Sequence, residues 1–320
     1  MFLARLTAIA ALSALAFPVA AQQFTITHPL PVNSHYGAGA VAFKEEIEKR
    51  TNNRIRFNIQ RSDNERENIE ALQIGTGDVT VTSTGPVGNF VAESKIFDIP
   101  FLFRDYAHAR GVLDSQVGQD VLGRFPAANL VGLAWLENGF RNLTNSRREV
   151  SKPDDIKGMK IRTMENQVHM QAFRTLGSLP TPMAFSELVP ALQQGTVDGQ
   201  ENPIPVIVAN NLNQVQKFLS LTRHVYSPAV LIVSPAVWNR LNDADKAVFR
   251  EAAKAAQAAN RARVSADEES GVDELRRRGM TVSTGVDMSG FQAALQPAME
   301  GWGREFGAAN IERIRNWRAN

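Results

Sequence analysis

The chain has 320 residues with 35 Lys and Arg, 33 Asp and Glu and no cysteine, so its formal net charge is only +2. Interspersed charges of both signs argue against nucleic-acid binding, and the lack of cysteine excludes disulfides, thiolate zinc sites, iron–sulfur clusters and cysteine nucleophiles. With 43% hydrophobic residues the sequence is that of a globular protein, and its length predicts about two domains.

Residues 1–21 are predicted to be a cleaved signal peptide rather than part of the fold. Arg5 gives a positive start, residues 6–17 are apolar, and the small residues at 19–21 suit cleavage before Gln22. The apolar run breaks at Pro18, short of the roughly 20 residues that a membrane-spanning helix needs. We therefore expect a mature chain of 320 − 21 = 299 residues that is not inserted in the membrane. A lipid-anchored exported protein would carry a cysteine at its mature amino terminus, so a freely diffusing periplasmic protein is predicted.

The first part of the mature chain alternates strands and helices. Alternating apolar and polar residues predict strands at 24–27, 54–59 and 79–82. Apolar spacings of three and four predict a helix through Ala40, Phe43 and Ile47, and a second helix is predicted at 65–73. This βαβαβ order indicates a parallel sheet.

A second α/β unit follows, and then a long helical segment. Strands are predicted at 131–135 and 159–162, and helices at 165–176 and 186–195. Residues 242–278 contain no helix breaker except Gly271, which predicts one very long helix or two end to end. At 1.5 Å per residue such a helix runs about 50 Å, long enough to span two lobes.

The sequence gives little support for dinucleotide binding, for a metal site or for a serine hydrolase. The segment 37–42 (GAGAVA) fits the dinucleotide pattern G-x-G-x-x-G/A, but it begins ten positions after the predicted strand, which favours helix packing instead. The five histidines form no close pair, and no G-x-S-x-G motif is present. We expect no cofactor, no metal site and no catalytic residues.

Two arginines are better placed for binding. Arg141 follows the strand predicted at 131–135 and Arg162 ends another, and ligands of open α/β sheets lie beyond the carboxyl ends of the strands. A guanidinium matches a carboxylate through two parallel hydrogen bonds. The alternative is a surface salt bridge to Asp154 or Asp155.

Three motifs closely resemble the DctP-type solute-binding proteins of TRAP transporters: 158–162 (GMKIR), 181–187 (TPMAFSE) and 197–203 (VDGQENP). Segments 99–103 (IPFLF), 138–141 (NGFR) and 216–218 (QKF) support the resemblance, which covers essentially the whole mature chain in order. It implies an α/β fold of the two-lobed, type II-like periplasmic binding proteins. The implied function is a receptor, not an enzyme, that closes on a small organic acid and delivers it to sodium-driven TRAP membrane subunits. The lobes would be 22–138 plus 228–267 and 139–227 plus 268–320, with the long helix spanning both.

The resemblance also implies the ligand contacts. Arg162 would hold the ligand carboxylate, Asn202 would be its partner, Arg141 would add a second cationic contact and Phe185 would pack beside the ligand. The other candidates are polar: Asn166 in the second lobe and, in the first, His28, Asn33, His35, Glu65, Ser83, Thr84 and Asn89. For the first-lobe residues the alternative is a structural role, such as capping a loop or occupying a satisfied edge position.

A polar first lobe suits ligand hydroxyl groups. A sugar acid such as a hexuronate therefore ranks first, and a C4-dicarboxylate or another 2-hydroxy acid ranks second. Ser83 stands where sialic-acid-binding relatives carry an acidic residue, which disfavours sialic acid. A periplasmic ligand sensor and a periplasmic enzyme on the same scaffold remain alternatives of a different class.

Overall fold

The computed structural model describes residues 21–319, so all but the last residue of the predicted signal peptide lies outside the described residues. The strands are β1 (Gln22–His28), β2 (Ile55–Arg61), β3 (Val79–Ser83), β4 (Val131–Asn145), β5 (Lys160–Thr163), β6 (Leu179–Pro182), β7 (Gly199–Pro203), β8 (Phe218–Val233) and β9 (Thr281–Ser283). The helices are α1 (His35–Arg50), α2 (Glu65–Ile74), α3 (Thr84–Val87), α4 (Tyr106–Asp114), α5 (Gln116–Leu122), α6 (Gln167–Thr175), α7 (Phe185–Gln193), α8 (Ile204–Ala209), α9 (Pro235–Trp238), α10 (Asp243–Arg277), α11 (Met288–Ala294), α12 (Gln296–Phe306) and α13 (Ala308–Arg315). Short 3₁₀ helices cover Ala92–Asp98, Phe125–Ala128, Pro153–Ile156 and Leu212–Gln214. None of the helices between residues 21 and 319 is long and apolar enough to cross a membrane.

One mixed sheet runs through both lobes. Its order is β2-β1-β3-β8-β4-β7-β5-β6, with β9 paired to β8. The pairing of β1 with β2 and β3 is parallel, which confirms the predicted parallel unit. The first lobe is built on β1, β2 and β3, and the second on β5, β6, β7 and β9, while the long antiparallel strands β4 and β8 belong to both.

The strand predicted at 131–135 is wrong in length, because β4 continues for 15 residues. Gly139 has a φ of +124°, which side-chain-bearing residues rarely adopt, and the register with β8 shifts on either side of it. Residues 221–224 form a bulge in β8, where Arg223 has a φ of +41°. Because of these irregularities, the sequence does not show the regular alternation that would predict the full strand. They lie where β4 and β8 pass between the lobes. Arg141 therefore lies inside a strand, not beyond its end.

The long helix is confirmed as a single element of 35 residues, about 52 Å at 1.5 Å per residue. It begins after Asn242, whose side chain accepts a hydrogen bond from the Asp245 amide at 2.8 Å. Gly39 of α1 lies so close to it that an added Cβ would come within 3.3 Å of the Ala256 carbonyl oxygen. Gly271 of α10 similarly lies against α8, so the helix contacts both lobes.

The last helix, α13, and the residues that follow it contact the first lobe. Arg104, which precedes α4, donates hydrogen bonds to the carbonyl oxygens of Arg315 and Trp317 at 2.6 and 3.1 Å. The Trp317 ring packs against Gly111 of α4. Residues 308–317 thus contact the first lobe, whereas the lobe boundaries from the sequence assign them to the second. Those boundaries stay a prediction.

Candidate functional site

Arg162 is a buried cation that makes no ion pair with any residue between 21 and 319. It is only 2% exposed at the end of β5, and its Nε and Nη2 donate to the Met183 carbonyl oxygen at 3.2 and 2.8 Å. Its Nη1 is buried and has no hydrogen-bond partner among residues 21–319. Burial lowers the pKa of the Arg162 guanidinium to about 10, and the nearby positive charge of Arg141 is the second cause. A buried charge is stable only when it is paired, so this position favours an anion.

Asn202 lies beside Arg162 because β7 pairs with β5, where Gln200 is opposite Arg162. Residues two apart on a strand point to the same face, and the amide of Asn202 donates to the Gln200 side chain. Phe185 completes the group, with its ring centroid 6.0 Å from the Arg162 guanidinium carbon. All three candidates come from separate sequence motifs and line one small cavity together.

Glu65 and Ser83 line the same cavity from the first lobe. Glu65 is the first residue of α2, and its Oε1 accepts hydrogen bonds from Thr82 Oγ1 at 3.0 Å, Ser83 N at 2.8 Å and Ser83 Oγ at 2.9 Å. The carboxylate is therefore held in one orientation opposite Arg162.

Arg141 is engaged with a protein carboxylate. Its Nε and Nη2 donate to the Glu201 carboxylate, and both residues are completely buried. Burial alone would raise the pKa of Glu201, but the charge of Arg141 and hydrogen bonds from His224 and Arg141 hold it well below its usual range. Only Nη1 of Arg141 has no partner within the described chain. Its role as a second ligand contact stays a prediction.

The alternative prediction, a surface salt bridge from Arg141 or Arg162 to Asp154 or Asp155, is wrong. Asp154 pairs with Lys157 at 2.7 Å. The Asp155 carboxylate accepts hydrogen bonds from the backbone amides of Ser151 and Lys152 at 2.9 and 3.0 Å.

Two candidate residues hold the lobes together. Asn89 donates its amide to the Glu165 carbonyl oxygen at 2.7 Å, from the first lobe to the second. Asn166 caps α6 and donates to the Gly85 carbonyl oxygen at 3.3 Å, from the second lobe to the first. These contacts describe a closed arrangement of the lobes.

A buried carboxyl group, Asp98, joins this lobe contact. Its Oδ2 accepts from Asn166 at 2.8 Å, and its Oδ1 accepts from Thr84 at 2.7 Å. Burial raises the pKa of Asp98 to about 7, although these two hydrogen bonds oppose the rise. The Thr84 hydroxyl group thus donates its hydrogen bond to Asp98, and Thr84 does not line the cavity.

The remaining candidates lie outside the cavity. His28 and His35 are completely buried, and burial lowers their pKa values to about 4 and about 3, so both rings are neutral near pH 7. His35 Nε2 lies 3.3 Å from the Asn138 side-chain oxygen. Asn33 is exposed on the turn between β1 and α1. The structure therefore brings Glu65 and Ser83, but not these three, next to Arg162.

Six residues that line this cavity were not among the candidates from the sequence: Pro29, Leu30, Tyr36, Asn138, Met164 and Val206. Tyr36 is 1% exposed, and its hydroxyl has no partner among residues 21–319. Asn138 belongs to the NGFR segment, and Met164 directly follows the strand that ends near Arg162, so the motif and the strand end were usable signals. Nothing in the sequence around Tyr36 distinguishes it from a core tyrosine.

The cavity is very small in this closed arrangement. It measures about 20 Å³, and an adjoining one that shares Glu65, Arg162, Met164 and Phe185 measures about 10 Å³. Each is about the size needed for one water molecule, so a sugar acid requires the lobes to separate. A groove of about 490 Å³ lies between α5 and α12–α13, but its charged side chains are on the surface. We place the site in the cleft, where the buried cation lies. No group of three His, Asp or Glu side chains among residues 21–319 could hold a metal ion.

Comparisons with known proteins identify the family of the chain. The family model "Bacterial extracellular solute-binding protein, family 7" (DctP) matches residues 26–305. A relative described as a solute-binding protein, from Verminephrobacter eiseniae, is 50% identical over 89% of this chain and 86% of its own length. A TRAP periplasmic solute-binding protein from Polaromonas sp. JS666, solved with D-erythronate, is 53% identical with a TM-score of 0.92 over 93% of this chain and all of that one (100%). A similar protein from Bordetella, with density interpreted as pantoate, is 49% identical with a TM-score of 0.91 over 93% of this chain and 100% of its own.

Proposed function

The chain belongs to family 7 of the bacterial extracellular solute-binding proteins, and we propose that it is the receptor of a TRAP-type transporter that captures a sugar acid by lobe closure. The predicted signal peptide and the family support a periplasmic location. We propose that TRAP membrane subunits receive the ligand and that the protein acts by binding, so the acid leaves it chemically unchanged.

The observation that carries this proposal is the unpaired cation in the cleft. Arg162 is buried between the lobes, with Nη1 free of any partner in the described chain. A ligand carboxylate supplies the missing charge through charge-assisted hydrogen bonds, each worth about 1.5–3 kcal/mol net. Asn202 and Phe185 fix the position of the ligand next to it.

Hydroxy acids of two sizes are candidates. A short 2-hydroxy acid is favoured by the relatives that share 53% and 49% identity with this chain, which were solved with D-erythronate and with density interpreted as pantoate. A hexuronate, the larger sugar acid, is supported by solved relatives of 25–29% identity that hold glucuronate or galacturonate. The hydroxyl and amide groups of Tyr36, Ser83 and Asn138 suit the hydroxyl groups of either.

A thermal-shift screen of the purified mature protein tests the proposal. Erythronate, pantoate, glucuronate, galacturonate and malate are compared with neutral sugars and amino acids. Only acids should raise the unfolding temperature. Stabilisation by neutral sugars or amino acids alone would refute the carboxylate site. Mass spectrometry of the recovered ligand tests the absence of turnover, since a changed mass would indicate an enzyme.

A charge-preserving variant tests the geometry. Arg162→Lys keeps the positive charge but loses the planar fork, so affinity by calorimetry should fall at least about tenfold. Lys160→Gln is the matched control, because Lys160 lies two residues earlier on β5 and is exposed. Equal affinities for the wild type and Arg162→Lys would remove Arg162 from the binding site.

A further inference from the structure

We propose that Glu65 makes the cleft selective for hydroxylated monocarboxylates and excludes dicarboxylates. The inference rests on the proposed function, because it assumes that a ligand carboxylate binds at Arg162. It concerns the opposite end of the ligand, which the first lobe contacts.

Glu65 and Arg162 face the same space. Both line the two small cavities of the cleft, Glu65 from the first lobe and Arg162 from the second. The three hydrogen bonds to Glu65 Oε1 come from Thr82 and Ser83, which are completely or almost completely buried. The carboxylate cannot rotate away without breaking them. Between residues 21 and 319, no donor is bonded to Oε2, the oxygen left to contact a ligand.

A ligand that places its carboxylate on Arg162 presents its other end to Glu65. A hydroxyl group there donates to Glu65 in a charge-assisted hydrogen bond. An ionised carboxylate has no proton to donate and carries the same charge, and the repulsion is strong in a closed cleft with little water. Tyr36 and Ser83 add hydroxyl groups on the same wall, but no positive charge.

The nearby Arg66 does not neutralise this end of the site. It lines only the outer of the two cavities, its side chain is 52% exposed, and its Nε pairs with Glu70 at 3.0 Å. Within the described chain, Arg162 is thus the one buried cation that lines either cavity.

Two pairs of acids isolate the effect of the second charge. D-Erythronate and meso-tartrate differ only in having a hydroxymethyl group or a carboxylate at C4, and D-gluconate and D-glucarate, which differ in the same way at C6, make the corresponding six-carbon pair. We expect calorimetry at pH 7 to show that the wild type prefers the monocarboxylate of its pair by at least about 100-fold. In Glu65→Gln the preference should fall below about tenfold, mainly because the dicarboxylate binds more tightly. Glu67→Gln, which removes a carboxylate from the same helical turn outside the cavities, should keep the wild-type preference.

A ligand-side experiment makes the test independent of the variant. A monoamide of tartrate, which lacks the second charge, should bind wild-type protein at least about tenfold more tightly than tartrate does. The inference is overturned if the wild type binds both members of a pair equally. It is also overturned if Glu65→Gln retains its fold and leaves the preference unchanged, or if the monoamide binds no better than tartrate. Binding of monocarboxylates without discrimination by Glu65 leaves the proposed function standing, whereas binding of no acid refutes both.

Discussion

Replacing Arg162 by glutamine should close the lobes in the absence of ligand. The pKa of Arg162 falls from 12.5 to about 10, chiefly because the closed cleft buries it. At 1.36 kcal/mol per pKa unit, the burial of this charge and its repulsion from Arg141 oppose the closed state by at most about 3 kcal/mol at any pH below 10. An open cleft returns water to the guanidinium and removes much of that penalty. Glutamine is neutral and still has an amide that donates to Met183, so Arg162→Gln should raise the closed-to-open ratio by up to about 100-fold.

Fluorescence energy transfer between the lobes measures this shift. Because the chain has no native cysteine, single cysteines at the exposed positions Ile74 and Gln193 can carry the labels, one on each lobe. Ligand-free Arg162→Gln should show the high-transfer state that wild-type protein reaches only with its acid, while Lys160→Gln should behave like the wild type. An unchanged or more open distribution in Arg162→Gln would refute the idea that the unpaired charge keeps the lobes apart.

Three further predictions concern the residues around the cleft. Glu201→Gln leaves Arg141 buried without a countercharge, so the free energy of unfolding in urea should fall by about 3–5 kcal/mol, and a loss below 1 kcal/mol would contradict the pairing. Asn89→Ala removes the hydrogen bond to Glu165, so stopped-flow measurements should show ligand release about two- to tenfold faster at an unchanged association rate. The pKa of Asp98 is raised from 3.8 to about 7, so the folded state holds this proton more tightly than the unfolded state. Wild-type stability relative to Asp98→Asn should therefore fall as the pH rises from about 4 to 7, by up to about 1.4 kcal/mol per unit, and a constant difference would refute this assignment.

The regular parts of the fold were predictable from local patterns. The parallel β1–β3 unit shows period-two and helical spacing, and α10 is an uninterrupted helical sequence between Asn242 and Gly279. The strand β4 was cut short because Gly139 and the shifted register around it interrupt the alternation. Strand pairing on both sides maintains β4 through this irregularity, and pairing between distant segments is not visible in a local window.

The site was predicted unevenly for a related reason. Arg162, Asn202 and Phe185 belong to motifs, and strand pairing brings them together. The partner of Arg141 was missed, since the sequence separates it from Glu201 by 60 residues and only β4–β7 pairing places the two side chains together. Cavity-lining residues such as Tyr36 become visible only once the two lobes are in place.

The two buried arginines have different consequences for binding. Arg141 is neutralised by Glu201 in every state in which β4 and β7 remain paired, so its charge does not depend on a ligand. Arg162 has no such partner among residues 21–319, so we expect the penalty of at most about 3 kcal/mol that opposes closure to be offset when an anion enters with the closing lobes. A neutral molecule of the same shape would make similar contacts but leave that penalty in place, which should lower its affinity by up to about 100-fold. Selectivity for acids therefore arises at the closing step as well as from contacts in the open cleft.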